Sequence, residues 1–398
     1  MSGRVIVVGS LNIDLVARVP QLPHPGETVT GGSYERHHGG KGGNQAVAAA
    51  RLRRPTLFIG AAGDDDFEVE ARRALLSERV DVSMLASLPG QATGMALILV
   101  DASGENEIAV VPGANWAIEA GYVRDSLARL GRLTGDVLLV CNEVPLHVVR
   151  EALVCGHAAG ATTILNPAPA TGIDRSLFGL ADIVTPNRNE LAMLLATEAR
   201  RTGRRVEEGT DVASRARVLL DEGPEGPGVR RAVIVTLGGD GAVVLDRLAP
   251  KPEPPARPGV EPCDGDAAEG SDGAAGTEGA GPNGAAGQTD GIGPTEARVA
   301  AVPVRVPALE DDEPQPEGAT RVGDYRAWSV PAPRVPTLDS TGAGDAFCGA
   351  LAAALAEGRS LPEAVGRAVA GGALATTHVG AREGMPTAGE LTEFLAAR

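Results

Sequence analysis

Aromatic residues make up only 3% of this 398-residue chain, yet 43% of it is hydrophobic, so an aliphatic core of ordinary size is available. No apolar run approaches the roughly 18 residues that a membrane-spanning helix needs. Cysteine is sparse: Cys141, Cys155, Cys263 and Cys348 stand far apart, with no C-x-x-C pair. That spacing argues against a disulfide framework and against a zinc site, and fits a reduced compartment. The opening MSGRVIVVGS carries no long apolar segment followed by a cleavage site, so a secretory leader is not expected and a cytoplasmic location is. Lysine is nearly missing. Of 36 basic residues only Lys41 and Lys251 are lysines. A general preference for arginine accounts for the excess but not for the survival of Lys41, which points to a need for a compact ammonium, with chance retention the alternative.

The net charge of −16 argues against nonspecific nucleic-acid binding. Much of it sits in residues 251–324, with 15 acidic against 5 basic residues. Residues 250–325 are rich in Gly, Ala, Pro, Asp and Glu. Such a segment buries too little apolar surface to offset the entropy of ordering, so it reads as a disordered surface insertion. A short strand at 299–306 and a role as an interaction module are the alternatives there.

Elsewhere short β-branched runs such as VIVV, VLLV and VIV alternate with helical patterns. Continuous apolar strands are buried on both faces, which implies a doubly wound α/β fold with a largely parallel sheet. Residues 12–36 and 92–112 break the alternation and read as an antiparallel flap.

Five clusters can carry chemistry. Residues 339–345, Asp-Ser-Thr-Gly-Ala-Gly-Asp, lead into the Ala-rich helix AFCGALAAALAEG. Gly342, Ala343 and Gly344 there offer helix N-terminal N–H groups to an anion. Asp345 adds negative charge, so it serves either as a helix cap or as a proton acceptor. Gly39, Gly40, Lys41, Gly42, Gly43 and Asn44 open a second helix without forming a Walker A loop. Lys41 with Asn44 suits a hydroxylated ligand. Residues 185–190, TPNRNE, read as a capping box through Asn187 and Glu190 or as a Mg²⁺ and phosphate site. Thr236 to Gly241, TLGGDG, is a strand entering a glycine turn. Asn12, Asp14 and Glu143 follow apolar strands, the position from which open α/β sheets contact ligands.

In this order the motifs resemble the ribokinase or PfkB family of carbohydrate kinases, across residues 4–249 and 326–397. GGKGGN and DSTGAGDAFCGAL are the two signatures, and GSLNID, PHPGETVTGG, LNPAPA and TPNRNE resemble the ribokinase branch. The resemblance implies one ribokinase-like domain from 1–249 and 326–398, with a central mostly parallel sheet and a small antiparallel β lid. It implies ATP-dependent phosphorylation of ribose at the 5-hydroxyl, with Asp345 as base and Gly342, Ala343 and Gly344 as anion hole. Asn12, Asp14, Gly40, Lys41, Asn44 and Glu143 are the implied sugar contacts. Asn187, Thr236, Gly238, Gly241 and Gly344 are the implied ATP contacts, and Glu190 the Mg²⁺ residue. Asp339, Thr341, Thr376, Val379, Gly380 and Gly384 are the implied K⁺ site, and the lid implies a homodimer. Val369 falls where relatives often carry a polar residue near adenine. The alternatives are another sugar or a nucleoside as acceptor, and a sugar-binding protein without catalysis.

Overall fold

In β1 (Val5–Val8) every side chain is buried. Val5 and Val7 join one apolar cluster, and Ile6 and Val8 join the other. That split follows from the two-residue period of a strand, and it demands helices on both faces. The computed structural model describes residues 3–203, 210–223, 226–248, 316 and 318–398. After β1 come β2 (Asn12–Arg18), β3 (Tyr34–Gly39), α1 (Lys41–Arg51), β4 (Thr56–Ala62), α2 (Asp66–Ser77) and β5 (Val80–Ser87). Next are β6 (Gly94–Val100), β7 (Asn106–Val111), α3 (Ala114–Ala117) and α4 (Ala120–Leu130). The alternation resumes with β8 (Val137–Cys141), α5 (Leu146–Ala158), β9 (Thr162–Asn166), α6 (Arg175–Phe178), β10 (Ile183–Val184), α7 (Arg188–Thr202), α8 (Val212–Leu220) and β11 (Ala232–Thr236). Finally β12 (Ala242–Arg247), β13 (Thr320–Val322), β14 (Tyr325–Val330), α9 (Ala343–Ala356), α10 (Leu361–Ala375) and α11 (Ala388–Ala396) follow.

Ten strands form one sheet in the order β13-β14-β12-β11-β10-β9-β8-β1-β4-β5. Every pairing from β11 to β5 is parallel. The pairings among β11, β12, β14 and β13 are antiparallel. Helices α1, α2, α9, α10 and α11 pack on one face, and α4, α5, α7 and α8 on the other. No helix among the described residues is long and apolar enough to cross a membrane.

The lid is a separate four-stranded sheet, β3-β2-β6-β7. Its outer pairs are antiparallel, as expected, but the central pair β2–β6 is parallel. Both strands leave the carboxyl end of a parallel strand of the main sheet, β1 and β5, and so set out in the same direction. Strand β7 is exposed along its whole length.

Most of the acidic segment at 250–325 lies outside the described residues, as does the strand expected at 299–306. Its end does not: β13 and the first residue of β14 belong to the main sheet, so the sheet includes residues before 326. Strand β5 and helix α4 add to the elements expected from the sequence. Val369 is buried in α10.

Candidate active site

Helices α1 and α9 pack side by side through small residues. A Cβ on Gly349 would stand 2.5 Å from the Cβ of Ala48 and 2.8 Å from the carbonyl oxygen of Gln45. This close approach brings the first turns of the two helices together. At the start of α1, Gly40 takes φ +81°, and a Cβ there would lie within 2.7–3.0 Å of the backbone of Leu11 and Asn12. Only glycine permits that approach. Glu143, just after β8, reaches this helix start. Its Oε2 accepts the Lys41 backbone N–H at 2.9 Å and the Ser10 hydroxyl at 2.5 Å. A carboxylate at a helix N-terminus is favourable for the dipole. The Lys41 side chain lines the pocket. The charge of Asp345 holds its ammonium above its ordinary pKa against the opposing effect of burial, and Glu143 adds to this. Lys41 is therefore a fixed cation at neutral pH.

Asp345 lies in the first turn of α9 and is 6% exposed. Its carboxylate makes no cap: the N-cap is Gly342, at φ +75°, with no side-chain cap bond. Instead Oδ2 accepts the Asn44 Nδ2 amide and Oδ1 accepts the Gln45 Nε2 amide, both at 3.0 Å. Gln45 also donates to Asn166 Oδ1 at 3.1 Å, and Asn166 donates to the Thr185 carbonyl at 3.1 Å. An amide chain therefore holds the carboxylate in one orientation. At the start of α9 the Ala343 N–H bonds the Ser340 carbonyl at 3.2 Å. The N–H groups of Gly344 and Asp345 have no acceptor among the described residues. A Cβ on Gly344 would meet nothing within 4 Å. Crowding within the protein thus gives no reason for a glycine at 344.

These groups face a pocket of about 220 Å³, lined by Lys41, Asn166, Ala168, Thr185, Asn187, Glu190, Thr236, Ser340, Gly342, Gly344, Asp345 and Cys348. It lies at the carboxyl ends of β9, β10 and β11, as ligand crevices do in open parallel sheets. Asn187 and Glu190 form a full capping box on α7, with bonds of 2.8 and 2.9 Å. The structural reading of this motif is therefore realised, at the pocket wall. Burial pushes the Glu190 carboxyl above its ordinary pKa, partly offset by Asn187 and Lys41, and Asp345 adds to the rise. The Thr236 N–H donates to the Pro186 carbonyl at 3.0 Å, joining this loop to β11. Among the described residues no cluster of three or more His, Cys, Asp or Glu side chains is arranged to hold a metal. Glu190 and Asp345 are the pocket's two carboxylates. That donor set suits Mg²⁺, which typically uses one or two carboxylates together with substrate phosphates and water.

A family model described as pfkB family carbohydrate kinase matches residues 2–268 and 316–388. The chain belongs to the pfkB family. This pfkB kinase is 30% identical over 395 residues to a ribokinase of Haemophilus influenzae, with 99% of each chain covered. It is 36% identical over 245 residues to a ribokinase of Schizosaccharomyces pombe, covering 60% of this chain and 73% of that one. Its fold superposes on the crystal structure of a ribokinase from Thermotoga maritima with a TM-score of 0.70 at 26% identity, covering 99% of both.

Other sequence-derived residues of the pfkB chain fall into two groups. Asn44 bonds Asp345 directly and Glu143 bonds the start of α1 beside Gly40, while none of these three, nor Asp14, lines the pocket itself. Burial pushes the Asp14 carboxyl up to about 6, with Arg382 opposing the rise and Glu143 adding to it. Asn12 does not line the pocket, and its Oδ1 accepts the Asn115 amide at 2.8 Å. Gly238 and Gly241 form the turn after Thr236 without lining the pocket.

The second group is the loop pair 338–341 and 376–384, which reaches the pocket only through Ser340. Asp339 Oδ1 accepts the Thr341 N–H at 2.9 Å and its hydroxyl at 2.7 Å, and Oδ2 accepts the Gly380 N–H at 2.9 Å. Against the upward push of burial, these bonds hold Asp339 below its ordinary pKa. The Thr376 carbonyl accepts N–H groups from Leu338 and Asp339. Val379 is exposed, and Gly384 packs on the Ala375 carbonyl. A carboxylate with backbone carbonyls is an oxygen-only donor set, which suits a hard cation. The expected K⁺ residues thus lie together, already cross-linked by direct hydrogen bonds.

Sequence reasoning passed over Gln45, Asn166, Ser340 and Arg382. Gln45 adjoins Asn44, and Asn166 lies within LNPAPA, so both sat inside phrases already singled out.

Proposed function

We propose that this pfkB kinase transfers the γ-phosphoryl group of ATP to the 5-hydroxyl of ribose. The observation that carries the reading is Asp345: a buried carboxylate, oriented by two amides and free of any capping role, beside open helix N–H groups. The sugar hydroxyl gives its proton to Asp345 as its oxygen bonds to phosphorus, and the bond from phosphorus to ADP breaks in line. The N–H groups of Gly342 and Gly344 receive the negative oxygens of the transferring group, with Gly344 the least obstructed, and that of Ala343 joins them by leaving the Ser340 carbonyl. Lys41 supplies a permanent positive charge beside them. Asp14, Gly40, Asn44 and Glu143 bind the sugar hydroxyls, and Asn12 supports them through the backbone of β2.

Thr236 and Asn187 line the nucleotide side, and the turn through Gly238 and Gly241 continues it toward the rest of ATP. Glu190 and Asn187 would hold the hydrated Mg²⁺, whose chemistry there is to offset phosphate charge. Asp339 with the carbonyls of Thr341, Thr376, Val379, Gly380 and Gly384 would hold K⁺, and the loop pair they form abuts the anion-binding start of α9 through Gly342 and Ala381. Exposed Ile108, Val110 and Val111 on β7 support a homodimer formed through the lid. A cytoplasmic location fits the reduced cysteines. The catalytic unit comprises 1–249 and the residues from 318 onward. Deleting 252–315 spares β13 and is expected to leave turnover within about threefold of the full chain. A tenfold loss would make that segment part of the enzyme.

Ribose is preferred over another sugar or a nucleoside because both sequence relatives above and the structural neighbour bear the name ribokinase. The test is ATP-dependent phosphorylation over a panel of ribose, deoxyribose, fructose and nucleosides, with and without K⁺. Turnover of another acceptor with ribose untouched would overturn the assignment.

A further inference from the structure

Arg382 lies in the loop between α10 and α11 and is 6% exposed. Its Nε donates to Asn44 Oδ1 at 3.0 Å, and its Nη2 to the Gly39 carbonyl at 3.1 Å. Its own carbonyl accepts the Arg51 guanidinium at 2.6 Å, and Arg51 is in turn clamped by Glu78. Arg382 is thus held at its backbone by Arg51 and at its guanidinium by Asn44 and Gly39. Burial pushes it down to about 10, so it stays cationic at neutral pH, and Asp14 is the strongest of the charges that oppose this.

We propose that Arg382 is a positioning residue of the acceptor site, fixing which end of the Asn44 amide faces Asp345 and balancing the charge of Asp14. A guanidinium can only donate. It therefore takes the oxygen of the Asn44 amide and leaves Nδ2 for Asp345. A side chain that accepts as well as donates, such as that of glutamine, would let the amide turn, setting its oxygen against the carboxylate. The groups facing Asp14 are Arg382, Glu143 after β8, His37 on β3 and Asp345 on α9. Arg382 and His37 lower its affinity for a proton, while Glu143 and Asp345 raise it, and Arg382 has the largest effect of the four. The inference rests on the reading that Asp14 and Asn44 hold the sugar.

Two measurements on full-length Arg382→Gln and Arg382→Lys separate the inference from that reading. The first is the titration of the Asp14 carboxyl by ¹³C NMR, which needs no turnover. Its midpoint should rise by about 1 pH unit in Arg382→Gln and stay in place in Arg382→Lys. The second is sugar kinetics across pH 5–8. In Arg382→Gln the KM for sugar should rise about tenfold at neutral pH, with the KM for ATP unchanged and the acid limb of kcat/KM moved upward. Arg382→Lys keeps the charge without the fork, so its acid limb should match wild type while its sugar KM rises several-fold. Equal midpoints and equal sugar KM in all three proteins would overturn the inference. A shifted midpoint in a protein inactive on every sugar would support the charge balance and overturn the sugar reading. If Arg382→Gln does not fold, Arg382→Lys decides alone: an unchanged sugar KM overturns the inference.

Discussion

Helices α1 and α9 both begin on a glycine with positive φ beside the same pocket, yet one start is filled and the other is open. On α1 the protein's own Glu143 occupies the first N–H, and the glycines serve close packing against residues 9–12. On α9 the N–H groups of Gly344 and Asp345 have no protein acceptor among the described residues, and the glycine at 344 faces space. A glycine-rich helix start is therefore not in itself an anion site. What separates the two is whether a carboxylate from the same chain has already taken the position.

The comparison breaks most sharply at Asp345. Asp345→Asn should lower kcat about 10³-fold while the sugar KM changes only a few-fold. A loss below tenfold would remove its role as base. Gly344→Ala comes next. No atom crowds the new methyl, and alanine favours a helix, so thermal unfolding should show equal or higher stability. Turnover should still fall about 10²-fold, because the methyl occupies the anion's place. Retained turnover would show that the open start is not used.

Asp14 sharpens the α1 side. Its carboxyl ionises near 3.8 in an unfolded chain and near 6 in the folded one. Its contribution to stability is therefore greatest below about pH 4, falls as pH rises to about 6, and is level above that. Asp14→Asn removes this dependence. The variant should gain about 3 kcal/mol relative to wild type at pH 8 and little at pH 4, while its sugar KM rises. An equal difference at both pH values would contradict the burial of an ionised Asp14. The smallest effect is expected at Glu143→Gln, which keeps the shape and loses the charge. Stability should fall about 1 kcal/mol and the sugar KM rise about tenfold.

How much of this was legible beforehand depends on which interactions are local. The sheet could be read because VIVV, VLLV and VIV leave no polar face. Asp345 and Lys41 could be read because each sits in a tight glycine context at a helix start. The parallel pairing of β2 with β6 could not, since it joins segments about 80 residues apart and depends on where the main sheet releases each strand. Strand β5 and helix α4 were missed because β5 alternates Asp and Ser with apolar residues right after a helix, and α4 carries polar residues through most of its length. Arg382 was invisible for a different reason. An arginine in a loop looks like surface, and its burial becomes evident only once Gly39, Asn44 and Asp14 are gathered around it.

The narrow gap between Ala48 and Gly349 makes the enzyme's chemistry answerable to a dimension nowhere near the phosphate. The Asp345 carboxylate is steadied by side chains on the neighbouring helix, so its aim is only as true as the spacing between the two helix axes. One additional methyl group at that seam would pry the scaffold apart and leave an intact carboxylate pointing the wrong way.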